Sequence, residues 1–276
     1  MKNDLEKPKI CLTIAGLDPS GGAGVVADIK TFSAFRCFAT MAITSVTYQN
    51  TKGVFGAVHQ TADSVRQQVQ PVVDDLGIDA LKTGMLPTAE IIEEAANLVR
   101  ENSLPHLVVD PVVRSTSGFD LIDDKALRSL IKELFPLAEI VTPNIPEAER
   151  ISGVAIERKQ DISAAAEVMR DMGARNVLIK GGHFGGGESN ASRKAVDHLF
   201  IGSELLLIEG KWHETNATHG TGCTLAAAIT ANLALGNSLP GAVRIAKAFV
   251  NEAIRTAPLI GRGHSPVNIQ PAASLK

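Results

Sequence analysis

ICLTIAGLDPSGGAGVVADIKTFSAF, residues 10–35, reads as a strand, a glycine-rich turn and a helix in direct succession. Ile10–Ala15 is a β-branched and apolar run of strand length, and Gly22–Phe35 has the apolar spacing of a helix. Between them, GLDPSGGAG places glycine at 16, 21, 22 and 24 with Asp18 alongside. The rhythm then repeats. Met41–Val46, Ile78–Lys82, Leu107–Val109, Glu139–Val141 and Asn176–Lys180 read as strands. Ala62–Asp75, Pro87–Asn102, Asp124–Phe135, Ile162–Gly173, Cys223–Leu235 and Leu239–Ala257 read as helices. This alternation predicts an α/β fold with a central, mainly parallel sheet flanked by helices on both faces. Ala195–Ile208 has the pattern of two short strands and fits an antiparallel edge. No repeat or long linker interrupts the chain, so residues 1–276 are read as a single domain, with the tail after Arg262 surface-bound or loose.

Composition narrows the function. The chain has 276 residues, 45% hydrophobic and 21% charged, which allows a sizeable core and excludes global disorder. A formal net charge of −3, no long basic cluster and 4% aromatic residues give no footprint for nucleic acid. MKNDLEKPK at the N-terminus lacks the apolar centre of a signal peptide, and the most apolar windows are too short to span a bilayer. Cys11, Cys37 and Cys223 stand far apart without metal spacing, which predicts reduced thiols in a cytoplasmic protein. Small molecules, rather than nucleic acid or membrane, are the expected partners.

In a sheet of this kind ligands gather at the carboxyl ends of the strands. The successive strands lead into GLDPSGGAG (Gly16–Gly24), then Tyr48, Gln49 and Asn50, then TGML (Thr83–Leu86), DPVV (Asp110–Val113), TPNIPEAE (Thr142–Glu149) and KGGH (Lys180–His183). Glycine, acid, amide and lysine therefore collect on one rim. Each motif also has an ordinary structural reading. The glycines after the first strand suit close ligand approach or a tight turn, and Asp28 is either functional or a surface acid offsetting the helix dipole. Asn144 and Glu147, three apart with Pro146 between, either hold a metal-bound water or form a helix cap. Asp110 follows a buried strand and either acts on a ligand or caps a turn. Lys180 either neutralises phosphate or reaches solvent. His183 has no partner at metal spacing, and HFGGGESNASRK is either a lid or a long loop.

THGTGCTLAAAI (Thr218–Ile229) sets Gly220, Thr221, Gly222 and Cys223 at a helix start, where unpaired backbone N–H groups bind an oxyanion. The same dipole favours a cysteine thiolate, so a depressed Cys223 pKa and a base or nucleophile role are expected. The alternative is a small thiol packed at a tight helix–sheet contact.

AGLDPSGGAGVVADIKTFSA, TYQNTKGV, KTGML, DPVV, TPNIPEAE, KGGH and THGTGCTLAAAI occur in one order over about residues 9–267. Together they resemble the hydroxymethylpyrimidine/phosphomethylpyrimidine kinases of thiamine biosynthesis, within the ribokinase-like superfamily. The resemblance implies ATP and Mg²⁺, a homodimer, and two successive phosphoryl transfers in one site. It places Gly16, Asp28, Gln49, Met85 and Val112 in the pyrimidine pocket. Asp110, Asn144 and Glu147 would organise Mg²⁺ and the ATP phosphates, with Asp110 and Glu147 reaching the metal directly or through water. Lys180, Thr218, His219 and Lys247 would line the nucleotide site, and Gly220–Cys223 the anion hole, with Cys223 where the superfamily usually has an aspartate base. Lys180 and the glycine N–H groups would offset charge on the migrating phosphoryl group. Tyr48, Ser45 and RSTSGFD (Arg114–Asp120) depart from the family's pattern. The rivals are a pyridoxal or pyridoxamine kinase, a nonenzymatic pyrimidine sensor, and a thiol acyl-transfer enzyme using Cys223 with His219.

Overall fold

A computed structural model describes residues 7–113, 120–181 and 194–269. A nine-stranded sheet runs through them in the order β3-β2-β1-β4-β5-β6-β7-β8-β9. The strands are β1 (Ile10–Leu17), β2 (Phe38–Asn50), β3 (Gly53–His59), β4 (Ala80–Thr83), β5 (Leu107–Val109), β6 (Ile140–Val141), β7 (Asn176–Ile179), β8 (Lys194–Ile201) and β9 (Glu204–Lys211). Pairing from β2 through β1 to β7 is parallel, whereas β3 and the β8–β9 hairpin are antiparallel edges.

Helices α1 (Gly24–Ala34), α2 (Ala62–Leu76), α3 (Ala89–Glu101), α4 (Asp124–Ser129), α5 (Ile145–Ser152), α6 (Lys159–Asp171), α7 (Thr221–Ala234) and α8 (Leu239–Arg255) cover both faces. The period of two in the central strands sorts the core. Ile10, Leu12 and Ile14 of β1 with Val109, Val141 and Val177 point to the α2–α6 layer. Cys11 faces α1 and α7, and Val108, Ile140 and Leu178 face α7 and α8. An alanine-rich sequence suits α7, because a helix buried from Thr224 to Ala234 against both sheet and neighbours has room only for small side chains.

Two expectations need correction. The helix anticipated over Asp124–Phe135 is α-helical only to Ser129, then widens into a π turn (Leu130–Leu134) and a 3₁₀ turn (Phe135–Leu137). Pro136 lacks the N–H that would continue the ladder and restricts Phe135 before it. The strand anticipated over Met41–Val46 runs from Phe38 to Asn50, because β3 pairs with its far half and places Tyr48 opposite Gly56 and Gln49 opposite Val54. The two glycines in GVFGAVH mask β3 in the sequence. Tyr48, Gln49 and Asn50 therefore end the strand instead of following it, and β2 projects past β1 as a wall.

Candidate active site

The strand order reverses direction between β1 and β4, where crevices open at the carboxyl edge of such sheets. A cavity of about 730 Å³ lies there. Gly16, Gln49, Met85 and Val112 line it, as do Asp110, Asn144, Glu147, Lys180, Thr218, His219, Gly220, Thr221, Gly222, Cys223 and Lys247. Of the residues that the resemblance assigns to the site, Asp28 alone is outside the lining.

The turn after β1 is organised by Asp18. Its carboxylate accepts the N–H groups of Ser20, Gly22 and Ala23 at 2.8, 3.2 and 2.9 Å, and lies 2.7 Å from His219 Nε2. Burial opposes its charge, but the His219 and Ser20 contacts hold its pKa below the usual carboxylate value. His219 thus ties the approach to α7 onto the start of α1. At Gly220, φ is +82° and an added Cβ would lie 1.8 Å from the Gly22 carbonyl oxygen, so this junction accepts only glycine. The Gly24 N–H favours the Cys223 thiolate, and Cys223 packs against Ala27 of α1, so the first turns of α1 and α7 meet near the sulfur.

Across from this junction stand the acids and the lysine. Lys180 Nζ lies 3.1 Å from Asp110 Oδ1 and 3.9 Å from Glu147 Oε2, and Thr142 Oγ1 donates to Asp110 Oδ1 at 3.3 Å. An added Cβ on Gly222 would meet Lys180 Nζ at 3.3 Å and Asp110 Oδ2 at 3.8 Å. The bare backbone of α7's first turn therefore sits directly against the charged cluster. Asn144 and Glu147 form a complete capping box, Asn144 N–H to Glu147 Oε2 at 2.8 Å and Glu147 N–H to Asn144 Oδ1 at 2.9 Å. The cap exists, and Glu147 still reaches the cavity. Burial pushes its pKa up to about 7, against the pull of Lys180. Lys180 is held above the ordinary lysine value because Asp110 and Glu147 outweigh the cost of burying its charge.

Two features differ from the sequence-based expectation. Asp28 is fully buried behind the cavity wall, where Lys82 Nζ at 2.9 Å and Thr13 Oγ1 at 2.7 Å occupy one oxygen. Cys223 does not have a depressed pKa. Burial raises it to about 11, with Lys82 opposing and Asp28 and Asp110 reinforcing, because shielding from water outweighs two helix N-termini. Lys247 reaches the lining, but its Nζ is 2.6 Å from Asp197 Oδ2, whose other oxygen accepts the Gly181 N–H at 3.1 Å. Thr218 Oγ1 lies 3.2 Å from His264 Nδ1. Sequence reasoning missed Asp197, His264 and Lys82; a lysine inside the apolar run DALKTGM was the available signal for the last. His183, HFGGGESNASRK through residue 193, and residues 114–119 of RSTSGFD lie outside the described residues.

The first turn of a helix, a lysine and two carboxylates beside one thiol suit transfer of an anionic group to a small acceptor. A model of phosphomethylpyrimidine kinase matches residues 18–268. The chain belongs to the phosphomethylpyrimidine kinase family. It is 44% identical over 257 residues to the hydroxymethylpyrimidine/phosphomethylpyrimidine kinase of Bacillus subtilis, covering 93% of each chain. The structure of phosphomethylpyrimidine kinase from Clostridium difficile superposes with a TM-score of 0.77 at 41% identity, over 89% of this chain and 99% of that one. Pyridoxal kinase from Staphylococcus aureus in complex with AMP-PCP superposes with a TM-score of 0.87 at 33% identity, over 98% and 96%. As a phosphomethylpyrimidine kinase family member, the chain is an ATP-dependent phosphotransferase of ribokinase-like fold. The acyl-transfer and sensor alternatives fall away. No helix among the described residues is long and apolar enough to cross a membrane.

The capping box and the raised pKa make Glu147 testable apart from catalysis. A carboxyl raised from 4.5 to about 7 on folding favours the folded state fully below pH 4.5. That contribution is lost as pH rises through 7. A glutamine keeps the oxygen that accepts the Asn144 N–H and cannot ionise. Glu147→Gln should therefore melt at or above the wild-type temperature at pH 8, with the difference closing toward pH 4.5, while kcat falls at both. Melting curves at the two pH values check this; a large stability loss at pH 8 would leave the residue as a cap only.

Proposed function

We propose that this kinase transfers the γ-phosphoryl group of ATP to 4-amino-5-hydroxymethyl-2-methylpyrimidine and then to its monophosphate. The carrying observation is the geometry at α7: Gly222 packs against Lys180 and Asp110, with Cys223 one residue on. Phosphoryl transfer depends mainly on positioning and charge stabilisation. The Gly220–Cys223 turn and Lys180 would cradle the migrating group, and Cys223 would take the acceptor hydroxyl proton. Gly16, Gln49, Met85 and Val112 would enclose the pyrimidine. The Gln49 Nε2 donates to Thr47 Oγ1 at 2.6 Å, which leaves Oε1 as the acceptor for the exocyclic amine. Asp28 acts from behind the wall, not as a pyrimidine ligand.

The donor set fits Mg²⁺ bound with nucleotide. Among the described residues no group of three or more His, Cys, Asp or Glu could hold a metal, whereas Mg²⁺ commonly uses one or two carboxylates plus phosphates and waters. Asp110 and Glu147 would supply those carboxylates, Asn144 would keep Glu147 in place, and the ion would draw charge from the phosphates. Thr218, His219 and Lys247 would border the nucleotide, His219 and Lys247 through their pairs with Asp18 and Asp197. A homodimer accords with the exposed Phe38, Met41, Tyr48, Phe55 and Val58 on β2 and β3, an apolar area of the kind that marks interfaces. A cytoplasmic location is consistent with the free thiols of Cys11, Cys37 and Cys223.

Pyridoxal kinase is the second reading, supported by the likeness to the Staphylococcus aureus enzyme. A panel of hydroxymethyl heterocycles with Mg·ATP separates the two. The pyrimidine should turn over with a higher kcat/KM than pyridoxal, and Gln49→Leu should narrow the gap. Equal or better turnover of pyridoxal would overturn the substrate assignment.

A further inference from the structure

Lys82 and Asp28 form an ion pair that the phosphoryl-transfer scheme does not use. Their side chains have no solvent exposure, Nζ and Oδ2 are 2.9 Å apart, and Thr13 Oγ1 donates to the same oxygen. The other oxygen, Oδ1, is buried with no hydrogen-bond partner among the described residues. Such a pair is weak evidence for stability, because well-packed apolar residues often replace it without loss. Its position is more telling. Lys82 belongs to the cavity wall, 2.9 Å from where a Cβ on Gly84 would lie, and after Asp28 the acidic groups that face it are Cys223 and Asp110.

The surroundings of the Cys223 sulfur come from four elements. Ala80 of β4 packs with Ala227 of α7, which brings Lys82, two residues on, and Cys223, one turn earlier, to the same interface; Ala27 of α1, beside Asp28, packs against Cys223; and Asp110 and Lys180, at the ends of β5 and β7, lie against neighbouring Gly222. The two carboxylates and burial disfavour the thiolate, and Lys82 is the largest influence in its favour.

We propose that Lys82 is a positioning residue for Cys223, anchored by Asp28 and Thr13 so that its ammonium faces the sulfur and balances the charge of the reactive thiolate. This rests on Cys223 being the base of the proposed reaction and explains how a half-buried thiol performs that task. The thiol first loses its proton to solvent. The thiolate then takes the proton of the acceptor hydroxyl as the new O–P bond forms and the bond to the ATP leaving group breaks. Lys82 keeps its own proton throughout. Asp28 acquires a definite part: it holds the cation and moderates it.

Iodoacetamide alkylation of the protein without nucleotide or pyrimidine, with the Cys223 peptide quantified by mass spectrometry between pH 7 and 10, tests this independently of turnover. Lys82→Met should slow alkylation at pH 8.5 by about tenfold or more and move the profile to higher pH, since one pKa unit is tenfold in thiolate. Asp28→Asn should do the opposite, because it removes a carboxylate facing the sulfur and leaves the Lys82 charge to it. Unchanged rates in both variants, or shifts of the same sign, would overturn the proposal and reduce the pair to packing. If Lys82→Met does not fold, the sign of the Asp28→Asn shift decides alone. Failure of the wild type to phosphorylate the pyrimidine would remove the proposed substrate and leave these alkylation shifts as they are.

Discussion

Cys223→Ala is expected to lower kcat by about 10²–10⁴-fold, the usual worth of a positioned general base. Binding of ATP and of the pyrimidine should persist, because the Gly220–Gly222 turn, Lys180 and the cavity walls remain. The pH dependence gives a sharper signature. With the thiol pushed up to about 11 by burial, Cys223 is protonated at neutral pH. Its thiolate fraction, and with it kcat, should climb with pH from 7 toward 10. Cys223→Ala should lose that slope. Cys223→Asp should recover part of the rate and shift it to lower pH, since a carboxylate is already ionised where the thiol is not. Steady-state rates across this range check the claim. A Cys223→Ala enzyme with wild-type kcat and the same slope would leave the thiol as a packing group.

Lys180→Met carries the second large effect. Lys180 supplies positive charge to both Asp110 and Glu147, and stands against the first turn of α7. Removing one preorganised charge-stabilising donor from such a site costs on the order of 10²–10³ in kcat. Two carboxylates would then face each other without a cation, so Glu147 should hold its proton to still higher pH. The ATP phosphates would enter a more repulsive site. The expected result is a 10²-fold or larger drop in kcat, on the order just given, with a raised KM for ATP and an unchanged affinity for the pyrimidine, measured by calorimetry. Equal loss of both affinities would instead mark Lys180 as a general support of the cavity.

Much of this arrangement is legible in the sequence because strand ends and their following residues are local facts. DPVV, TPNIPEAE and KGGH each follow a short buried strand, and a parallel sheet brings such residues to one rim regardless of their separation along the chain. Asp110, Glu147 and Lys180 meet for that reason. Properties set by three-dimensional burial are not local. Asp28 has the sequence position of a residue near the pocket, yet the packing of α1 on β1 and β2 turns it toward Thr13 and Lys82. The helix dipole predicts a lowered Cys223 pKa, and only the enclosing structure shows that desolvation prevails. The pairing of Lys247 with Asp197 is likewise set by β8 and cannot be read from either residue's neighbours in the chain. The glycines that mask β3 and the proline that breaks the end of the Asp124–Phe135 helix act through hydrogen bonding that periodicity does not register.

The central claim is that one cavity, with Lys180 and Cys223 on its anion-binding side, performs both phosphorylations. The most direct measurement is a time course of the wild type and Cys223→Ala with Mg·ATP and the hydroxymethylpyrimidine, and separately with its monophosphate, resolving both products by chromatography. The expected result is monophosphate rising first and diphosphate following in the wild type, with both steps slowed by a similar factor in the variant. Loss of one step with the other at the wild-type rate, or no pyrimidine phosphate at all from the wild type, would contradict it.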